Sequence, residues 1–195
     1  MNTTAKMIIV LSVTAILSGA ILSIYNFYTY PKIQKYRQSE QRKAIFEVIP
    51  GAVRYEEVEK SGMTFYVGYS KDNKKLGIAF LAEGNGFQGK ISILVGMDLN
   101  MEKILAIKIL EQVETPGLGT KIVNDPSKPN DRNWFSDQFK GLKVLPQITW
   151  VKNQKPTEPN QIQAITGATI SSRSVVKILN NTISQSRKIF LENQE

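Results

Sequence analysis

The chain opens on an apolar stretch. Met7–Ile24 (MIIVLSVTAILSGAILSI) is nearly continuous hydrophobic sequence with small residues interleaved, and no residue from Met7 to Pro31 is charged. A spanning helix needs roughly 20 apolar residues, so this run predicts a transmembrane anchor. Tyr25, Phe27, Tyr28 and Tyr30 cluster at its end, where amphipathic rings favour the headgroup layer, and Pro31 closes it. A cleaved signal peptide is the competing reading, but its apolar region is usually about 7–15 residues and ends at a small-residue site. Residues 32–49 are polar up to Ala44 with few helix breakers, and predict a helix leaving the membrane and ending at Pro50-Gly51. The pattern divides the chain into an anchor (1–31), a juxtamembrane helix or linker (32–50) whose cations meet lipid phosphates, and a body (51–195).

Within the body the period changes to two. Met63, Phe65, Val67 and Tyr69 alternate with Thr64, Tyr66 and Gly68, and a Lys71-Asp72-Asn73-Lys74 turn leads to a second run at Leu76–Leu81, which predicts a hairpin. The glycine-rich segment Gly84–Gly89 precedes Lys90–Met97, a turn near Asp98-Leu99-Asn100, and Ile104–Leu110, predicting another strand pair. Trp134–Phe139 reads as a short helical turn. Val144–Leu145, Ile148–Val151 and Ile162–Ile165 read as short strands, with Lys152–Asn160 a surface loop. At the end the period becomes helical: Val175, Leu179, Thr182/Ile183, Ser186 and Phe190, widened by Val176 and Ile178, predict a helix from about Ser171 to Leu191. The class is α+β, with a mostly antiparallel sheet and a C-terminal helix.

Composition narrows the chemistry. The 195 residues are 42% hydrophobic and 22% charged, with no cysteine and no histidine. That removes thiolate-held iron–sulfur clusters, c-type haem, the usual structural zinc sites and every histidine-based triad. Redox chemistry here requires an organic cofactor. The formal charge of +8 does not indicate nucleic acid, because Lys6, Lys32, Lys35, Arg37, Arg42 and Lys43 lie before Ala44 with only Glu40 against them. The remaining residues, with 19 basic against 16 acidic, are near neutral.

Two loops suit an anionic cofactor. Thr166-Gly167-Ala168-Thr169-Ile170-Ser171-Ser172 joins a predicted strand to the last helix, a junction that aims free N–H groups and the positive end of the helix dipole outward. Thr166, Thr169, Ser171 and Ser172 supply hydroxyls that can donate to phosphate or be esterified by it; the same residues also serve as an ordinary N-cap. Glu114-Thr115-Pro116-Gly117-Leu118-Gly119 follows a predicted strand as a tight loop, with Pro116 fixing one torsion and Gly117 and Gly119 permitting positive φ. Glu114 and Thr115 can meet a polar ring edge while Leu118 covers its face. An isolated structural turn fits this loop too. Trp134, Phe135 and Trp150 are candidate ring neighbours or core residues.

Taken together, the anchor, GNGFQGKISILVGMD, ETPGLG and the terminal TGATISS resemble the FMN-binding G subunit of the Rnf electron-transport complex and its relative, the C subunit of the sodium-translocating NADH:quinone reductase. The resemblance covers the whole chain. It implies covalent FMN, attached by a flavin transferase to the threonine of (S/T)GAT, here Thr169, with Gly167 and Ala168 shaping the turn, Ile170 in the same motif and Ser171 near the phosphate. It also places Glu114, Thr115, Gly117, Leu118 and Gly119 at the flavin. The transferase's recognition sequence usually has an acidic residue three positions before (S/T)GAT, which is Gln163 here.

The implied function is a membrane-anchored flavoprotein that relays electrons among the other subunits of an ion-translocating oxidoreductase in a bacterial or archaeal cell membrane. A tethered flavin-binding sensory or assembly module is the alternative. Lys and Arg counts flanking the apolar run favour a cytoplasmic body, whereas the resemblance implies an extracytoplasmic one.

Overall fold

Strand β4 (Lys90–Met97) organises the body because it is buried on both faces. Alternation sends Ile91, Ile93, Val95 and Met97 into one apolar cluster and Leu94 into another. In the computed structural model, which describes residues 2–191, β4 pairs antiparallel with β3 (Lys75–Asn85) and β5 (Ile104–Gln112). Outside β3 lie β2 (Met63–Tyr69) and β1 (Arg54–Lys60), completing a five-stranded antiparallel sheet in the order β1-β2-β3-β4-β5. The expected α+β class holds.

Two helices cover the two faces. α3 (Thr169–Leu191) buries Val175, Val176, Ile178, Leu179, Ile183 and Phe190 against the first cluster, along the stripe expected from its period. Gly84 makes room for it, since a Cβ there would lie 2.6 Å from Ile178 Cγ1. On the opposite face Ala44, Ile45 and Val48, from the end of α1 (Thr3–Val48), pack with Ile49 against Ala79, Leu94 and Ala106. At Gly96 a Cβ would stand 2.0 Å from the Val48 carbonyl oxygen, so only glycine lets the helix end sit this close to the sheet.

Several boundaries differ from the sequence reading. α1 runs without interruption through Pro31, because a proline removes only one ladder donor and the turns on either side remain bonded. By contacts the chain divides after Glu40 into two units, and the spanning candidate lies in the first. β1 is an additional strand, and β3 extends to Asn85, so the glycine-rich loop narrows to Gly86–Gly89, closed by Gly86 N–H donating to Gly89 O at 2.7 Å. Beyond β5 come a 3-10 turn at Gly119–Ile122 and the short α2 (Trp134–Asp137). Val144–Leu145 is not a strand; the neighbouring Lys143 makes only an isolated bridge to Lys103. β6 (Thr149–Lys152) and β7 (Gln161–Ala164) form a separate parallel pair, with Lys152 opposite Ala164. The end of β7 delivers the chain to the TGAT turn.

Candidate functional site

Two turns of the same construction face each other. In Thr115-Pro116-Gly117-Leu118, Leu118 N–H donates to Thr115 O at 3.1 Å and Gly117 has φ +75°. In Ile165-Thr166-Gly167-Ala168, Ala168 N–H donates to Ile165 O at 3.0 Å and Gly167 has φ +84°. Each places glycine at the third position, where the left-handed backbone of a type II turn requires it. They approach closely enough that a Cβ on Gly167 would contact Leu118 Cδ2 at 3.9 Å. Gly119, expected to supply positive φ, does not; its role is space, because a Cβ there would lie 2.5 Å from Glu114 Oε2 and 2.8 Å from Ser171 Oγ.

Glu114 joins these turns to the β3–β4 loop. Its Oε1 accepts from Phe87 N–H at 2.7 Å and Gln88 N–H at 3.2 Å, and its Oε2 accepts from Ser171 Oγ at 2.6 Å. The side chain is 5% exposed. A buried carboxylate persists only when donors replace its lost water, and here two segments, the β3–β4 loop and the start of α3, supply them. Glu114 thus acts as a clamp between these segments. Gly86 fits against it, as a Cβ there would fall within 2.2 Å of Oε1.

A cavity of about 440 Å³ opens between the clamped loops, lined by Phe87, Glu114, Thr115, Leu118, Gly119, Lys152, Asn153 and residues 166–171. The size suits a cofactor. Phe87, Leu118 and Ile170 give it an exposed apolar rim. Of the residues that the resemblance assigns to the flavin, all but Gly117 line it.

The hydroxyls divide sharply. Ser171 Oγ is committed to Glu114, Ser172 Oγ donates to Ala168 O at 3.0 Å while accepting from Ile165 N–H, and Thr166 Oγ1 donates to Asn153 Oδ1 at 3.1 Å. Ser171 and Ser172 are also buried. Thr169 is half-buried, and its Oγ1 has only a 3.4 Å contact to Ile165 O. Ser172 N–H makes the first bond back into the turn, to Ala168 O at 3.0 Å, leaving the N–H groups of Thr169, Ile170 and Ser171 at the helix start without a bond into the turn. Gln163 lies on β7, its backbone N–H and carbonyl both engaged by the Gln138 side chain.

Trp134, Phe135 and Trp150 take the core alternative and do not line the cavity. Phe135 is a core residue. Trp134 donates its indole N–H to Asp125 Oδ2 at 3.0 Å. Burial works to raise the Asp125 carboxyl, yet hydrogen bonds from Ser127 and Trp134, with Lys121 nearby, leave it below the ordinary range. Trp150 lines a different groove, with Arg173 and Lys177. The aromatic at the cavity is Phe87, and its signal was available: one ring inside a glycine-rich hairpin tip has no core to join. Lys152 and Asn153, read as surface loop, also line the cavity.

The fold recurs in solved structures. The fold is similar to that of NqrC from Shewanella oneidensis (TM-score 0.57, 18% identity, 74% of this chain and 71% of that one). It is similar also to the C subunit of the Na(+)-translocating NADH-quinone reductase of Parabacteroides distasonis (TM-score 0.52, 27% identity, 66% and 62%). In sequence the chain is 27% identical over 186 residues to the G subunit of the ion-translocating oxidoreductase complex of Methanosarcina acetivorans, covering 91% of this chain and 92% of that protein. It is 29% identical over 175 residues to the G subunit of the proton-translocating ferredoxin:NAD(+) oxidoreductase complex of Clostridium ljungdahlii, covering 90% and 87%. Residues 86–184, which contain the Glu114 clamp, the cavity and the start of α3, match the FMN-binding domain family, and the chain belongs to that family.

Proposed function

We propose that this protein is a membrane-anchored flavoprotein subunit that carries FMN as a phosphoester on Thr169 and relays electrons within an Rnf-type ion-translocating oxidoreductase complex. The observation that carries the attachment site is the state of the hydroxyls: Thr169 alone among the four at the turn is both accessible and nearly free. The cavity fits the group. Phe87, Leu118 and Ile170 offer apolar surface to the ring system, and the open N–H groups at the start of α3 offer a phosphate the positive end of the helix. In the attachment step the Thr169 oxygen displaces AMP from the flavin-side phosphorus of FAD. One phosphodiester replaces the pyrophosphate, and the hydroxyl proton passes to solvent. A flavin transferase supplies the FAD and catalyses the exchange.

Bound FMN supplies the one- and two-electron chemistry; the chain's part is to hold it. Covalency suits a carrier with so open a site, because the ring stays attached while exposed to its exchange partners. The apolar stretch of α1 anchors the protein in a cell membrane beside the other subunits, and residues 32–43 bring cations to the lipid headgroups. In the assembled complex, the flavin is expected to reduce and reoxidise at the turnover rate when donor is added; a flavin that stays oxidised throughout turnover would favour the sensory or assembly role. We follow the family resemblance over the flanking charge count and read the body as extracytoplasmic, since large domains translocate largely regardless of charge. A reporter fused to the C-terminus should then be active only in the exported compartment, and cytoplasmic activity would reverse this topology.

A further inference from the structure

The phosphodiester brings a negative charge to a place where the expected hydroxyl donors are already spent. Thr166 donates to Asn153, Ser171 to Glu114 and Ser172 to Ala168. The one anionic side chain in the lining, Glu114, has both oxygens engaged by the chain's own donors. The one cationic side chain in the lining is Lys152.

Its placement is built. The parallel register sets Lys152 beside Ala164, two residues before Thr166, and the Thr166–Asn153 hydrogen bond ties the residue after Lys152 to the TGAT turn. Asn153 holds a left-handed backbone, φ +54°, as the chain leaves the strand. No ion pair to Lys152 exists among the described residues. A cation held beside an anion site without an acidic partner is available to a ligand phosphate.

We infer that Lys152 is the counter-charge for the phosphate on Thr169, a positioning residue that fixes the phosphoryl end of the flavin against the start of α3. The inference rests on the FMN reading above and adds the residue that completes its electrostatics. Lys152 acts as a point charge on a flexible stem, so arginine can replace it here and a neutral residue cannot.

The test compares flavin-loaded and unloaded forms of the full-length chain in detergent for the parent, Lys152→Ala, Lys152→Arg, Lys152→Glu and the exposed control Lys155→Ala. The readout is the shift in melting midpoint on loading, which is independent of how well the transferase recognises each variant. Loading should raise the midpoint by about 2–4 °C in the parent, the arginine variant and the Lys155 control. Alanine should lose at least half of that gain and glutamate should reverse it, with the differences shrinking in roughly 1 M salt. An equal loading shift in all five proteins would overturn the inference. A parent chain that takes no flavin would instead overturn the site reading itself.

Discussion

Replacing Thr169 by alanine should remove all covalent flavin and leave a folded protein. The hydroxyl makes one contact, at 3.4 Å to Ile165 O, at the edge of hydrogen-bond geometry. Its loss should cost less than about 1 kcal/mol of stability, while the turn itself is held by Ser172, whose Oγ accepts from Ile165 N–H and donates to Ala168 O. Loss of label with a parent-like urea midpoint therefore separates attachment from folding. Thr166→Ala should retain label, because Thr166 is tied to Asn153. Full labelling of Thr169→Ala would mean that another hydroxyl is esterified.

Glu114→Ala should give the largest loss of stability. It strands Phe87 N–H, Gln88 N–H and Ser171 Oγ together, and a buried donor left without an acceptor costs about 1–3 kcal/mol. Water reaching the exposed Phe87 loop offsets part of this, so a net loss of about 3 kcal/mol is expected, against a typical total of about 5–15 kcal/mol. Glu114→Gln should be milder, because the amide oxygen still accepts from Phe87 and Gln88 while its NH2 group donates to Ser171 Oγ. Urea denaturation of the full chain, with flavin attachment measured in parallel, checks both. If Glu114→Ala keeps parent stability but loses flavin, the carboxylate serves the ligand directly and is not a clamp.

What could be read from the sequence was whatever local periodicity encodes. β2, β4, β5 and the stripe of α3 have apolar positions that repeat at their own period, and the structure keeps them. β1 was missed because Arg54–Lys60 lies at the sheet edge and carries Glu56, Glu57 and Glu59 with little apolar alternation, as solvated edge strands do. β6 and β7 are too short for any period to show, and their pairing is parallel and non-local. The turns at Thr115–Leu118 and Ile165–Ala168 were legible from Pro116, Gly117 and Gly167, but their meeting was not.

The Glu114–Ser171 bond joins residues 57 apart in the chain, and no local signal announces such a contact. Motif order placed Glu114 at the site; only the geometry shows it clamping the walls. Lys152 reads as surface because it is charged and precedes a polar loop, and its position at the cavity follows from the register with Ala164. Of the two readings open for Trp134, Phe135 and Trp150, the structure favours packing with the core. Ring residues near helical turns usually join cores, and Phe135 does.

The most direct test of the central claim is the intact mass of the protein purified from its native membrane, followed by fragmentation of the peptide containing residues 166–172. The account predicts a mass increase of one esterified FMN, located on Thr169. An unmodified chain, or flavin on any other residue, would contradict it.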